Sequence, residues 1–507
     1  MATYRLHYFE AIIMTSTSTP KRQQNKAAVA GCSLFLLLAF WCFFSARWFV
    51  NVYGRIGFDS ILYTLSSSLG GTEPELLIRY SLQALLPCIL STALLVFLFF
   101  GRPRRRLFNA APWLCILLAL LLIGTAVVDC EFDEYLIAQF SDTPLYETYY
   151  VEPDSVQVTF PDEKRNLIYI MLESMETSYL SKDLGGAMEE NLIPELYRLA
   201  DENICFSDSS ADVGGFYTTA GATWTIGSMV AQTAGIPLKT PTEDVNKYGS
   251  QGEDFLPGVT SLTNILHDAG YHQTLMVGSD VRFGGRKAYF ELHGTDEILD
   301  IYTARRDGII PKDYFVWWGM EDLYLFEYAK QKLTEISSQD QPFAFTMLTV
   351  DTHHVGGYQC TLCEESASGE SYDQSISCSS RQVAEFVAWI QAQPFYENTT
   401  IIIVGDHESM DNGYFERMVD KNYQRLLYNC FINPAVSANR IHNRKWTAQD
   451  LFPTTLAAMG ANIEGDRLGL GTNLFSNQLT LCEKYGFEAF NEELAKASDY
   501  YETNFWN

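Results

Sequence analysis

The sequence predicts an α/β protein: a mostly parallel sheet covered by helices on both faces, preceded by an N-terminal membrane region. Three observations carry this. From about residue 165 onward, short β-branched or apolar runs alternate with helical periods, the pattern of strand–helix–strand units. Several of the runs are apolar throughout, as strands buried on both faces are. Ahead of them lie three stretches close to the roughly 20 apolar residues that cross a bilayer.

Those stretches are "KAAVAGCSLFLLLAFWCFFSARWFV" (26–50), "YSLQALLPCILSTALLVFLFFG" (80–101) and "APWLCILLALLLIGTAVV" (111–128). A signal peptide does not account for them, because two are internal and the first is long. Lys21, Arg22 and Lys26 precede the first, and "GRPRRR" (101–106) separates the second from the third. Basic flanks stay in the cytoplasm, so three crossings from a cytoplasmic N-terminus put the rest of the chain outside. A further segment, "IGFDSILYTLSSSLGG" (56–71), is too polar and too short to count as a crossing. The expected organisation is a membrane region over 1–130, a linker over 131–164 and an extracytoplasmic domain over 165–507.

A net charge of -27, from 35 basic and 62 acidic residues, lacks the basic footprint of a nucleic-acid partner. Cys32, Cys42, Cys88 and Cys115 fall in the membrane stretches and read as small apolar residues. Outside, Cys360 and Cys363 form a C-x-x-C with Cys378 fifteen residues further on. Three of four zinc ligands would look like this, but with no clean second pair a disulfide in an oxidising compartment is the favoured expectation.

Within the outer region, "NLIYIMLES" is a strand ending in an acid, and "ENLIPELYRLADENICFSD" and "VTSLTNILHDAGYHQTLMVGSD" each join a helix to a strand. "PFAFTMLTVDTHH" is an apolar run with a polar end, "SSRQVAEFVAWIQAQPFYENTTIIIVGDHE" again joins helix to strand, and "TAQDLFPTTLAAMGANI" is helix. Three buried runs thus end in groups able to bind metal or move protons: Glu173, the pair His353 and His354, and the pair Asp406 and His407. In a parallel sheet, strand ends of one polarity lie together, so distant residues can converge.

Taken singly, each of these residues is equally a polar turn. Glu173, however, follows "IYIML", where an unpartnered carboxylate is costly. Carboxylates with one imidazole suit Mn²⁺ or Zn²⁺ better than Ca²⁺. "GGFYTTAGATWTIGSMVAQTAGIPL" (214–238) supplies hydroxyls ahead of a helix beginning near Thr225. A threonine there is either a helix cap or, beside a metal at an anion-attracting helix N-terminus, a nucleophile.

Together, "IMLES", "ATWTIGSMVAQTAGIPL", "TVDTHH" and "VGDHESM" resemble the alkaline phosphatase/sulfatase superfamily. Within it the likeness is to membrane-anchored phosphoglycerol transferases of the lipoteichoic acid synthase and osmoregulated periplasmic glucan types, over roughly 164–475. The resemblance implies a sulfatase/alkaline phosphatase-like fold. It implies that Glu173, Thr225, Asp406 and His407 hold one divalent metal, Mn²⁺ ahead of Zn²⁺ or Mg²⁺, with Thr225 the nucleophile. Ser228 fits the family's small or hydroxyl residue three positions later; Thr223 is second choice. "RFGGRKAYFELHG" places Arg286 where the family keeps an arginine on the substrate phosphate, against the plainer reading of a solvated surface arginine. The family's tryptophan two residues earlier is here Gly284, a departure on the acceptor side of the pocket. His353 matches a histidine that contacts the phosphate and protonates the leaving oxygen. His354 is its second choice and points elsewhere if the segment is extended. Trp317, Trp318 and Asp322 lie in "VWWGMEDLYLF" as either cleft or core.

The implied activity is transfer of phosphoglycerol from phosphatidylglycerol to a cell-envelope glycan or teichoic-acid-like polymer, through a phosphoglyceryl-threonine, by a multi-pass enzyme of a bacterial cytoplasmic membrane. Three alternatives stand beside it: a phosphoethanolamine transferase of the same superfamily, a sulfatase or phosphodiesterase, and a non-catalytic membrane-tethered binding domain. Thr225, where a sulfatase carries an oxidisable Cys or Ser, weighs against the second. The intact set Glu173, Asp406 and His407 weighs against the third.

Overall fold

The computed structural model describes residues 20–54, 57–59, 61–62, 74–100, 105–239, 255–366 and 368–506. The chain divides into two compact units, residues 1–50 with 74–130 and residues 51–73 with 131–507.

The first unit is built on α1 (Pro20–Tyr53), α2 (Leu86–Phe100) and α3 (Arg105–Asp129); a π-helical turn, Ser81–Leu85, joins α2 to the preceding helix Pro74–Tyr80. Val29–Tyr53, Leu77–Phe100 and Ala110–Asp129 are long and apolar enough to cross a membrane. Only a narrow seam is buried, including Leu36, Ala39, Cys88, Cys115 and Ala119, while Leu90, Leu117 and Leu121 stand 59%, 67% and 63% exposed. Large side chains exposed this way suit a hydrocarbon surround and would be unfavourable in water by up to ~1.5–3 kcal/mol each. Trp41 Nε1–H donates to Tyr80 Oη at 2.9 Å, and Arg47 pairs with Asp129 at 3.1 Å. The end of α1 therefore meets both the start of the second span and the end of the third, so successive spans alternate in direction. Segment 56–71 and the Gly101–Arg104 part of the basic loop lie largely outside the described residues.

The second unit holds a seven-stranded sheet. Its strands are β2 (Asn166–Leu172), β3 (Gly215–Phe216), β4 (His272–Val277), β5 (Glu297–Leu299), β6 (Phe343–Leu348), β7 (Thr399–Gly405) and β8 (Leu427–Ile432), in the order β3-β8-β7-β2-β6-β4-β5. Outside it, β1 (Val158–Thr159) pairs with β9 (Asn462–Ile463). The β2·β6, β2·β7, β4·β5 and β4·β6 pairings are parallel; β8 runs antiparallel to β7 and β3. The sheet is thus mixed at one side and parallel around β2, its centre.

The uninterrupted apolar runs follow from burial on both faces. Leu167, Tyr169 and Met171 of β2 and Ile402 and Val404 of β7 enter one core; Ile168, Ile170, Leu172, Ile401 and Ile403 enter the other. The helix Thr225–Ala234 covers the first face through Ile226, Met229 and Val230. Helices Pro194–Glu202, Asp322–Ile336 and Ser371–Gln391 cover the second. Residues 131–164, expected as a linker, include helices Phe132–Gln139 and Leu145–Tyr149, and Tyr146 sits in the first core at 1% exposure.

Register brings the strand ends level. Met171 pairs with both Leu348 and Val404, and Leu172 with Gly405. Beyond the last pairs, Asp406 N–H donates to Leu172 O at 3.0 Å and Thr349 N–H to Met171 O at 3.1 Å. Gly405 lets the turn after β2 cross at close range, since a Cβ there would stand 2.1 Å from Met175 O. Gly405→Ala must displace that backbone; the expected cost is ~1–3 kcal/mol of stability, read as a lowered thermal unfolding midpoint of the purified chain, and an unchanged midpoint would contradict this packing.

Candidate metal centre

Three side chains meet at the ends of β2 and β7. Glu173, Asp406 and His407 are 2%, 0% and 1% exposed and each offers a ligand atom within 4.8 Å of the others. His407 Nε2 lies 3.6 Å from Glu173 Oε1 and 3.4 Å from Asp406 Oδ2. Thr225 Oγ1 is 3.4 Å from the same nitrogen. Thr225 is the first residue of its helix, Trp224 standing as the cap, so the unsatisfied N–H groups of a helix start surround the hydroxyl. Thr223, the second choice, lies half-buried in the loop just ahead.

Neighbouring groups fix each member. Asp406 Oδ1 accepts from Ser174 N–H at 2.8 Å and His407 N–H at 2.7 Å. Ser174 Oγ donates to Glu173 Oε1 at 2.8 Å, and Glu173 N–H to Thr349 Oγ1 at 2.9 Å. Ser228 Oγ donates to Asp406 O, tying the Thr225 helix to the end of β7. His407 Nδ1 stands 2.8 Å from Glu408 O. A carbonyl only accepts, so Nδ1 carries the proton and Nε2 turns a lone pair toward the carboxylates.

Burial pushes the Glu173 carboxyl up, against the lowering effect of His407, Ser174 and Arg286. Burial and the Glu173 charge push Asp406 to about 7. For His407, burial opposes the charged ring, but Asp406 and Glu173 outweigh it and raise the value. Acids held this way call for a positive charge between them. Asp406 Oδ2 has no hydrogen-bond partner, an omission that costs ~1–3 kcal/mol for a buried polar atom. Two carboxylate oxygens and a hydroxyl, each 3.4–3.6 Å from one imidazole nitrogen, fit a divalent cation, whose ligand bonds of ~2.0–2.2 Å set edges of about this length.

Arg286 is 4% exposed, which overturns the surface-arginine reading. It starts the helix Arg286–Leu292, and left-handed Gly284 and Gly285 just before it make the turn. Its guanidinium donates to Phe283 O, Ser279 Oγ and Asp280 O at 3.0, 3.0 and 2.7 Å, and its charge is felt at Glu173 and at His353. His353 takes its place through a turn, with its N–H on Val350 O at 2.9 Å. That turn corrects one expectation. The segment is not extended, so His354 does not point away: the two imidazoles stack with centroids 4.3 Å apart. Trp318 packs on His353 at 4.4 Å. Burial lowers His353 to about 4.

Asp322, which the sequence left open between cleft and core, and Glu176, which carried no sequence signal, support the site. Asp322, fully buried, accepts from Val350 N–H and Asp351 N–H at 2.8 and 3.2 Å and so shapes the turn that carries His353. Glu176, also fully buried, accepts from Arg425 Nε at 2.8 Å and from Ser409 N–H at 2.8 Å, holding the loop after His407. Glu408 turns to Arg425, 3.7 Å away, and stays out of the cluster.

A parallel-stranded domain that gathers two carboxylates, an imidazole and a helix-start hydroxyl at its strand ends has the architecture of the alkaline phosphatase superfamily. More narrowly, the model of the Sulfatase family matches residues 165–461, and the chain belongs to that family. It is 28% identical over 376 residues to phosphoglycerol transferase I of Xanthomonas euvesicatoria pv. vesicatoria (strain 85-10), covering 70% of this chain and 51% of that one. To phosphoglycerol transferase I of Salmonella choleraesuis (strain SC-B67) it is 29% identical over 431 residues, 83% of this chain and 53% of that one. The chain thus spans about half the length of the curated relatives it matches. Among solved structures, the integral membrane protein lipooligosaccharide phosphoethanolamine transferase A from Neisseria meningitidis superposes with a TM-score of 0.50 at 11% identity, covering 85% of this chain and 84% of that one, a likeness of fold.

Two outcomes check the centre. Asp406→Asn and Glu173→Gln each lower affinity for a divalent cation by ten-fold or more, ~1.4 kcal/mol per decade, in titration calorimetry. Glu176→Ala strands the Arg425 charge, and the expected loss is ~3 kcal/mol of stability by denaturant unfolding.

Proposed function

We propose that this chain is a membrane-anchored phosphoglycerol transferase that uses phosphatidylglycerol as donor and a hydroxyl of a cell-envelope glycan or polymer as acceptor. The observation that carries the proposal is Thr225 Oγ1 at a helix start, 3.4 Å from the imidazole of a buried two-carboxylate cluster. The named relatives support the head group. The three apolar spans support a lipid donor, with the catalytic domain outside the cytoplasmic membrane of a bacterium.

Glu173, Asp406, His407 and Thr225 would hold one divalent metal, Mn²⁺ being the leading candidate. Bound there, it would supply positive charge to phosphate oxygens and ease loss of the Thr225 proton. Thr225 Oγ1 attacks the phosphorus, the bond to the diacylglyceryl oxygen breaks, and a phosphoglyceryl-threonine forms while diacylglycerol leaves. An acceptor hydroxyl then displaces Thr225 and regenerates it. The helix-start N–H groups and the Arg286 guanidinium face the charge that grows on the phosphate, stabilisation that operates best where water is excluded. His353 rests neutral, the arriving phosphodiester anion favours its protonated form, and that form passes a proton to the leaving oxygen while the Thr225 proton goes to solvent; the proton of the acceptor hydroxyl then restores Thr225.

The test is diacylglycerol release from fluorescent phosphatidylglycerol by the purified chain with Mn²⁺. Thr225→Ala is expected to reduce it by roughly 10³-fold or more, Thr225→Ser to retain part of it, and a chelator to abolish it until metal is restored. Release from phosphatidylethanolamine in place of phosphatidylglycerol would move the assignment to phosphoethanolamine transfer; release from neither would refute it.

A further inference from the structure

A second cluster lies apart from the Glu173 pocket. Cys360, Cys363 and Cys378 bring their sulfur atoms within 4.8 Å of one another. Cys360 and Cys363 sit in the loop that continues from His353, where Cys363 N–H donates to Cys360 O at 3.2 Å and closes a turn. Cys378 projects from the helix Ser371–Gln391. The Cys360 and Cys378 sulfurs are 3.7 Å apart, and those of Cys360 and Cys363 are 3.8 Å apart.

These separations discriminate between the two fates that the sequence left open. A disulfide needs ~2.05 Å, and all three cysteines are free. Three thiolates on a tetrahedral ion with bonds of ~2.3 Å stand ~3.8 Å apart, and the two separations from Cys360 match this, with the third pair within 4.8 Å. The surroundings fit thiolates as well. Leu362 N–H points at Cys360 Sγ at 3.3 Å, and the Gln382 side-chain amide donates to Cys378 Sγ at 3.4 Å and reaches Cys360 Sγ at 3.9 Å. Such donors offset the negative charge of metal-bound sulfur and orient it. Cys360 and Cys378 are 6% and 2% exposed, while Cys363 is half-buried, leaving a side open to solvent.

We propose that Cys360, Cys363 and Cys378 form a second metal site, taking one thiophilic divalent cation of the zinc class through three thiolates. Among the described residues no fourth Cys, His, Asp or Glu joins the group, so water at the half-buried Cys363 side completes the coordination. Binding releases three thiol protons to solvent and changes no oxidation state. The ion clips the loop that leaves His353 onto the helix Ser371–Gln391. It is a positioning site, independent of the phosphoglycerol transfer proposed above.

The full chain, purified in detergent and loaded with cobalt(II), tests this. An intense thiolate-to-cobalt charge-transfer band is expected at one equivalent, because the Glu173, Asp406 and His407 centre contains no sulfur. The band persists in Asp406→Asn, disappears in Cys378→Ser, and requires 10–100-fold more metal in Gln382→Ala. The spectrum of the unaltered chain decides even if Cys378→Ser fails to fold. Absence of the band, or a disulfide among these cysteines in the mass of the non-reduced chain, would overturn the site. Loss of activity in Asp406→Asn with the band intact separates the two centres.

Discussion

Everything at the strand ends turns on charge confined where water cannot reach it. Glu173 and Asp406 are both under 3% exposed, and desolvating a carboxylate costs several kcal/mol unless something positive replaces the solvent. The imidazole of His407 shares their group, and the proton on its Nδ1 points outward to Glu408 O. The fold therefore builds an anionic hole and leaves one oxygen of it, Asp406 Oδ2, without a partner. The sheet bears that tension because its centre is parallel: three neighbouring strands deliver their last residues to one level, and the backbone bonds from Asp406 and Thr349 to β2 keep them there.

Rigidity comes from small hydroxyl groups more than from large contacts. Ser174, Ser228 and Thr349 each use a hydroxyl to bond a member of the cluster or its backbone. Through Ser228, the helix that carries Thr225 is fastened to the strand that carries Asp406, so the hydroxyl and the acids are not free to drift apart. Asp322 does comparable work for the turn before His353, and Trp318 lays an aromatic face on that ring. On the proposed reading, the parts of one phosphoryl-transfer site reside on five separate segments, each held by bonds that belong to the fold.

Much of this was legible in the chain itself. Apolar runs ending in acids or imidazoles predicted both the strands and the convergence of Glu173 with Asp406 and His407, because period and burial are local properties that parallel topology then assembles. What escaped is what only three dimensions decide. The antiparallel run of β8 leaves no mark in a strand apolar at every position but Asn429. Residues 131–164 looked like a connector, since the residues they give the core, Leu145 and Tyr146, follow no sustained period. The pairing of Glu176 with Arg425 joins positions far apart in sequence, with neither in a motif. His353 and His354 stack because the segment turns, and the sequence between Val350 and Val355 contains no glycine or proline to announce a turn.

The Glu176–Arg425 pair has one more implication. A third carboxylate lies close by the cluster, and had it been left ionised and unpaired, the hole would carry three negative charges. Arg425 neutralises it at the cost of a guanidinium that packs 3.6 Å from the centre of the Phe415 ring. What remains are the carboxylates of Glu173 and Asp406, which on the proposed reading one doubly charged ion would balance. On the proposed reading, an incoming monoanionic headgroup would find its counterion in the buried cation of Arg286, so the charges would balance only with lipid and metal both in place.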